Sequence, residues 1–134
     1  MAEQALRQES ESINAERVNP FSALTAALPE LSIVELCALY RSSQTMEEIG
    51  WTNMVPTDAK AGDKVNDLTE ALAAEFGYLG DAIVAELKQR RPKNDIEADR
   101  IASLVTSHEL HCGDMGGALA ALAGYLAARE RAAA

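Results

Sequence analysis

The longest regular pattern of apolar positions predicts one long helix in the middle of the chain. Within about 57–91, apolar residues recur at steps of three or four, which places their side chains on one helical face. These residues are Val65, Leu68, Leu72, Phe76, Leu79, Ile83 and Leu87. Pro92–Lys93 predicts a turn after this helix. Asn94 with Glu97 forms a capping-box pattern that predicts a last helix running to about Arg131.

The last predicted helix, about 95–131, carries two stripes. A large-residue stripe steps by four and three and consists of Ile101, Val105, His108, Cys112, Met115, Leu119, Leu122 and Leu126. A small-residue stripe lies nearly opposite at about 100° per residue. It consists of Gly113, Gly117, Ala120, Gly124 and Ala127. Because a break near 113–117 would let the register of the large-residue stripe slip, we expect one continuous helix through these glycines.

The two long helices would form an antiparallel hairpin with arms of roughly 50 Å each, too long for the remaining residues to cover. Each helical glycine costs about 1 kcal/mol relative to alanine, and close approach of a partner helix would offset that cost. The hairpin register places Gly77 opposite roughly residue 108, so the small-residue stripe must meet a different helix. We therefore expect self-association through this stripe, with a symmetric dimer favoured.

Capping signals predict shorter helices before the hairpin. Asn19–Pro20 combines an N-cap with a proline at the first helical position, and Ser32 with Glu35 forms a capping box. The polar run 41–44 predicts a bend or a second short helix after that box. The N-terminal segment is only weakly amphipathic, so we expect residues 1–19 to be partly disordered unless they dock.

Composition is typical of one all-α domain. The chain has 134 residues, enough for one hydrophobic core, and is 48% hydrophobic but only 4% aromatic. We expect residues 1–134 to form a single helical domain. Its fold is expected to be a helical bundle built on the hairpin of about 57–91 and 95–131, with shorter N-terminal helices.

Charge and hydropathy limit the classes of partner. The formal net charge is −9, from 21 acidic and 12 basic residues, and no long basic cluster is present. This disfavours direct binding of nucleic acid. An acidic decoy that occupies a nucleic-acid-binding partner stays as an alternative, although acidic and basic residues alternate along the chain. The sequence shows no membrane span, no signal peptide and no disulfide framework, so we expect a cytoplasmic protein.

One short run carries the candidate chemistry. Three of the chain's four cysteines and histidines lie between His108 and Cys112. A zinc site is chemically reasonable for His108, His111 and Cys112 with Cys37 as a fourth ligand. The spacing matches no established metal motif, and cysteine is often buried without any ligand. A metal- or cofactor-binding helical bundle, with zinc as the candidate metal, is therefore the alternative function.

No sequence motif indicates an enzyme. The chain has no nucleophile elbow and no phosphate-binding glycine loop. The one acid–base candidate is His108 paired with Glu75 or Glu86. We therefore expect a non-enzymatic, self-associating interaction or regulatory subunit, with a heterologous protein partner as a further option. Trp51 is the candidate partner contact outside the small-residue stripe.

Overall fold

The computed structural model describes Gln4, residues 19–52 and residues 60–133, and its regular elements are helices. Between residues 19 and 133 these are α1 (Pro20–Ala27), a 3₁₀ turn (Leu28–Glu30), α2 (Ile33–Thr52), α3 (Lys60–Gln89), α4 (Asp95–His111) and α5 (Met115–Ala133). No strand occurs in these described ranges. The all-α prediction is thus confirmed. The prediction for residues 1–19 lies outside the described residues, apart from Gln4 and Asn19.

The helices begin where the capping residues predict. The side-chain oxygen of Asn19 accepts a hydrogen bond from a backbone N–H two residues on, at 3.0 Å. Ser32 and Glu35 form the reciprocal capping box, with distances of 2.7 and 3.2 Å. Asn94 caps α4 by accepting from the backbone N–H of Glu97 at 2.9 Å. The Glu97 carboxylate accepts from the residue before Asn94, so this box is offset by one residue.

The second short helix predicted after 41–44, as the alternative to a bend, does not form. α2 is a single helix of 20 residues that passes through this run. Ser43 is buried and donates its hydroxyl to the carbonyl of Tyr40 at 2.7 Å. Thr45 donates its hydroxyl to the carbonyl of Arg41 at 3.0 Å. These hydroxyls find hydrogen-bond partners in the preceding turn, so the polar run is accommodated within the helix.

The continuous helix predicted over about 95–131 is also wrong, because the chain turns between α4 and α5. Gly113 has a φ of +78°, a left-handed conformation that favours glycine. Its N–H donates to the carbonyl of Leu110 at 3.0 Å, and the N–H of Asp114 donates to the carbonyl of Glu109 at 2.8 Å. This pair of bonds is a Schellman motif. The Asp114 carboxylate then caps α5 by accepting from the N–H of Gly117 at 2.8 Å.

As a result, α5 folds back against α4 and does not extend the hairpin. Ala118 of α5 is buried in this contact. Tyr125 and Arg129 of α5 both donate hydrogen bonds to Asp99 of α4. The second hairpin arm is therefore only the 17 residues of α4. The length of the arm no longer argues for a second copy of the chain, and self-association stays a prediction.

The main core lies where the C-terminal half of α3 meets α2 and α4. Its buried members are Leu28, Ile33, Leu36, Cys37, Tyr40, Leu79, Ile83, Val84, Leu87 and Val105. Small residues let α2 and α3 approach closely, because a Cβ added at Gly50 would lie 2.8 Å from the Cβ of Ala73. Arg90 fixes the 3₁₀ turn to the end of α3 by donating to the carbonyls of Leu28 and Pro29 at 3.0 and 2.9 Å. This core holds the helices that supply the candidate site.

Candidate functional site

His108 lies at the centre of a polar network between α2, α3 and α4. Its Nδ1 atom is 2.8 Å from the hydroxyl oxygen of Tyr40, which in turn accepts a hydrogen bond from the side-chain amide of Gln44 at 2.8 Å. Its Nε2 atom is 2.9 Å from Oδ1 of Asp81. The His108 side chain is 12% exposed and that of Asp81 is 60% exposed. Both ring nitrogens therefore have partners, and these fix the plane of the imidazole.

Cys112 completes a group of three different donor atoms. It lies four residues after His108, one helical turn along the same face, and its Sγ atom is 3.6 Å from Nε2 of His108. A carboxylate oxygen of Asp81, a ring nitrogen of His108 and the sulfur of Cys112 all lie within 4.8 Å of one another. α3 supplies the carboxylate, while α4 and its C-cap supply the other two groups. The bundle thus brings oxygen, nitrogen and sulfur ligands to one point.

These groups border a small pocket of about 150 Å³. Gly77 and Gly80 form the α3 side of this pocket, and His108 lies on its α4 side. This agrees with the predicted hairpin register, which placed Gly77 opposite roughly residue 108. A Cβ at Gly77 would lie 3.1 Å from a carboxylate oxygen of Glu47, and one at Gly80 would lie 3.6 Å from the ring of Tyr40. The two glycines therefore let α2 approach and also leave the pocket beside His108 open.

The surroundings keep the Tyr40 hydroxyl and the Cys112 thiol protonated at neutral pH. Burial, followed by the negative charge that Cys112 carries once it is ionised at alkaline pH, raises the pKa of Tyr40 to about 12. Partial desolvation, followed by the carboxylates of Asp81 and Glu109, raises the pKa of the Cys112 thiol. Because the thiolate is the reactive form of cysteine, this arrangement disfavours Cys112 as a free nucleophile, whereas a bound cation would favour loss of the thiol proton.

The four residues of the predicted zinc site do not converge. His108 and Cys112 lie together, and His111 borders the same pocket without joining the group of close ligand atoms. Cys37 is buried in the core and borders a separate cleft between α2 and α4. Burial raises the pKa of its thiol. Among the residues that the structure describes, Asp81, and not Cys37, lies with His108 and Cys112.

The acid–base pair predicted for His108 also has a different partner. Glu86 forms an ion pair with Arg90 at 2.7 Å, and Glu75 is exposed. The carboxylate that contacts His108 belongs to Asp81, which sequence reasoning missed. A signal was present, because Asp81 lies one helical turn after Gly77, the residue that the hairpin register places opposite His108.

Within the described part of the chain, the small-residue stripe meets α4 near Gly117, where an added Cβ would lie 3.0 Å from a carboxylate oxygen of Glu109, and is open at Gly124. Gly113 lies in the α4–α5 turn, and a Cβ at Gly113 or at Gly124 would have no neighbour within 4 Å. A Cβ at Gly117 would collide with the carboxylate of Asp114, which caps the same helix. Gly117 and Ala120 border a groove of about 550 Å³ between α5, α4 and the end of α3. Ala127 is half-buried. The predicted interface at this stripe stays a prediction.

Large apolar side chains on α5 are exposed, although the sequence pattern placed them against the hairpin. Met115, Leu119, Leu122 and Leu126, the α5 leucine stripe, are 61%, 60%, 42% and 51% exposed. Their steps of four and three put them on one helical face, roughly opposite the small residues of α5. Trp51, near the end of α2, is also exposed, which is compatible with its predicted role.

Comparison with known proteins gives no relative from which a role could be transferred. The chain matches no protein-family description, no curated protein and no solved structure. Within the described ranges, no helix is both long enough and apolar enough to cross a bilayer.

Proposed function

We propose that this protein is a helical interaction module that self-associates through α5 as a symmetric dimer. The observation that carries the proposal is the exposure of the α5 leucine stripe, whose members are 42–61% exposed on one face of the helix. Contiguous apolar patches on a protein surface mark interaction sites more often than scattered apolar residues do. Of the 19 residues of α5, Ala118 is the one in the buried class. The helix therefore has a large surface available for a partner.

The charge pattern supports a second copy of the chain as that partner. Residues 115–128 contain no charged side chain, although the whole chain is 25% charged with a net charge of −9. Two copies of an acidic protein repel one another least where they meet through such an uncharged segment. Steps of four and three between large apolar residues are also the pattern of paired helices, and a twofold interface uses the same patch on both copies.

The energy available from the stripe indicates a dissociable dimer. Full burial of a leucine or methionine side chain contributes about 1.5–3 kcal/mol relative to exposure. Since each side chain of the stripe is already about half buried, completing its burial contributes about 1 kcal/mol, or about 8 kcal/mol for the eight side chains of a dimer. Association costs about 4–15 kcal/mol in lost translational and rotational freedom. The stripe alone thus supplies a gain of the same order as this cost, which favours a dimer that dissociates on dilution.

Charge insertion into the stripe tests the proposal. We expect the double variant Leu119→Glu with Leu122→Glu to sediment as a monomer at concentrations where the wild type is a dimer. The matched control, Ala38→Glu with Ala85→Glu, adds the same charge at exposed positions of α2 and α3 and should remain a dimer. A wild type that stays monomeric up to high concentration, or a stripe variant with unchanged mass, would contradict the proposal.

A third variant separates the two faces of α5. Gly124→Leu adds a large side chain to the small-residue stripe at a position with open space, whereas Gly117→Leu would disturb the cap at Asp114. We expect Gly124→Leu to retain the dimer, because the leucine stripe lies on the other side of α5. Loss of the dimer in Gly124→Leu alone would place the interface on the small-residue stripe. Association through apolar contacts should also persist in high salt, whereas an acidic decoy surface would lose its partner.

A further inference from the structure

We propose that Asp81, His108 and Cys112 bind a divalent transition metal of the zinc class. The proposal does not depend on the dimer, because these residues lie on α3 and at the end of α4. Carboxylate oxygen, imidazole nitrogen and thiolate sulfur are the three ligand types that proteins use for Zn²⁺. They converge here from two helices at the edge of one pocket.

The distances between the donor atoms fit a tetrahedral ion. With zinc–ligand bonds of about 2.0–2.3 Å, tetrahedral angles separate a nitrogen and a sulfur ligand by about 3.6 Å, and a nitrogen and an oxygen ligand by about 3.4 Å. The structure has 3.6 Å between Nε2 of His108 and Sγ of Cys112. It has 2.9 Å between Nε2 of His108 and Oδ1 of Asp81. The Asp81 side chain is 60% exposed, so it has room to move outward by the remaining half ångström or so.

The second nitrogen of His108 has the support that a metal ligand needs. A metal on Nε2 requires the proton on Nδ1, and this N–H then donates to the hydroxyl oxygen of Tyr40 at 2.8 Å. Gln44 donates to the same oxygen at 2.8 Å and holds Tyr40 in place. Partners of this kind orient the imidazole and fix its tautomer in protein metal sites. The polar network in α2 thus positions Nε2 toward Asp81 and Cys112.

The site leaves a fourth position for water. Three protein ligands and one open position are the arrangement of reactive zinc sites, whereas structural zinc sites have four protein ligands. The open position would face the pocket of about 150 Å³ that Gly77 and His111 border. His111 lies near enough to serve as a matched control, since it shares the pocket but not the group of close donor atoms.

Cobalt titration of the reduced, tag-free full-length chain tests the ligand set. We expect one equivalent of Co²⁺ to give tetrahedral d–d absorption with a sulfur-to-cobalt charge-transfer band, and Zn²⁺ to displace it. Cys112→Ser should abolish the charge-transfer band, while Cys37→Ser should keep it. Asp81→Asn should weaken binding at least about 100-fold, beyond the 10–100-fold typical of outer-sphere changes. His111→Gln should bind as tightly as the wild type.

Each variant is compared at equal helicity by circular dichroism, so that loss of folding is not read as loss of a ligand. Asp81 and Cys112 are both exposed, and their conservative replacements leave the core intact. Absence of the charge-transfer band at excess Co²⁺ in the reduced wild type would overturn the proposal. So would unchanged affinity in Asp81→Asn, or a charge-transfer band that depends on Cys37 in place of Cys112.

Discussion

Replacing Gly113 with alanine tests the turn between α4 and α5 by the sign of the change in stability. Gly113 has a φ of +78°, where an L-residue costs about 1–2 kcal/mol more than glycine. In the observed turn, Gly113→Ala should therefore lower the free energy of unfolding by about 1 kcal/mol or more. In a continuous helix, the same change would raise it by about 1 kcal/mol, because alanine is the better helix former.

Chemical denaturation followed by circular dichroism distinguishes the two outcomes, because they differ in sign and by about 2 kcal/mol. Gly124→Ala is the matched control, since Gly124 lies within α5 and a Cβ there meets nothing within 4 Å. We expect this control to raise stability by about 0.8–1 kcal/mol. A gain in stability in both variants would refute the turn, and with it the folding of α5 onto α4.

Three further changes test the packing around the site. Arg90→Ala should destabilise the fold by about 2 kcal/mol, because it removes the hydrogen bonds from the guanidinium to the carbonyls of Leu28 and Pro29. In the same denaturation assay, the control Arg91→Ala should change stability by less than about 0.5 kcal/mol, because Arg91 is exposed. Thr106→Val should raise the unfolding free energy by about 1 kcal/mol, because the buried Thr106 hydroxyl has no hydrogen-bond partner within the described structure; a loss of stability would show that the hydroxyl is bonded. Since the pKa of Tyr40 is raised from 10.0 to about 12, the unfolded state loses this proton first. Stability should therefore be unaffected by Tyr40 below pH 10 and fall as the pH rises to about 12. In urea titrations at several pH values, Tyr40→Phe should lose less unfolding free energy than the wild type between pH 10 and about 12. Equal pH profiles for the two proteins would contradict the raised pKa of Tyr40.

The parts of the fold that depend on local chemistry could be predicted from the sequence. Ser32 with Glu35 fixes the start of α2 because each residue satisfies a backbone donor of the other. The regular apolar steps match burial against α2 and α4 in the C-terminal half of α3, most completely at Ile83 and Leu87, whereas Val65, Leu68 and Leu72 are exposed. The hairpin register correctly placed Gly77 beside the pocket of His108.

The turn at Gly113 was missed because an apolar period was given more weight than a pair of end signals. Gly113 is a signal for the end of a helix, because glycine favours the left-handed conformation that follows a helix. Asp114 is a signal for the start of the next helix, because its carboxylate can accept a hydrogen bond from the backbone N–H three residues later. The spacing of large residues happens to continue across this turn. Periodicity shows which residues share a face, whereas caps determine where the helix stops.

The candidate site was predicted only in part, because half of it depends on how two helices cross. His108 and Cys112 follow from a four-residue step on one helix. The contact with Asp81 depends on the crossing of α3 and α4, which local pattern does not give.

Intermolecular nuclear Overhauser effects in a mixed sample of isotope-labelled and unlabelled full-length chains test the α5 interface most directly. Association through the α5 leucine stripe predicts cross-chain signals among the methyl groups of Met115, Leu119, Leu122 and Leu126, which the single chain leaves 42–61% exposed. Cross-chain signals confined to other helices, or none at concentrations up to the solubility limit, would contradict the account.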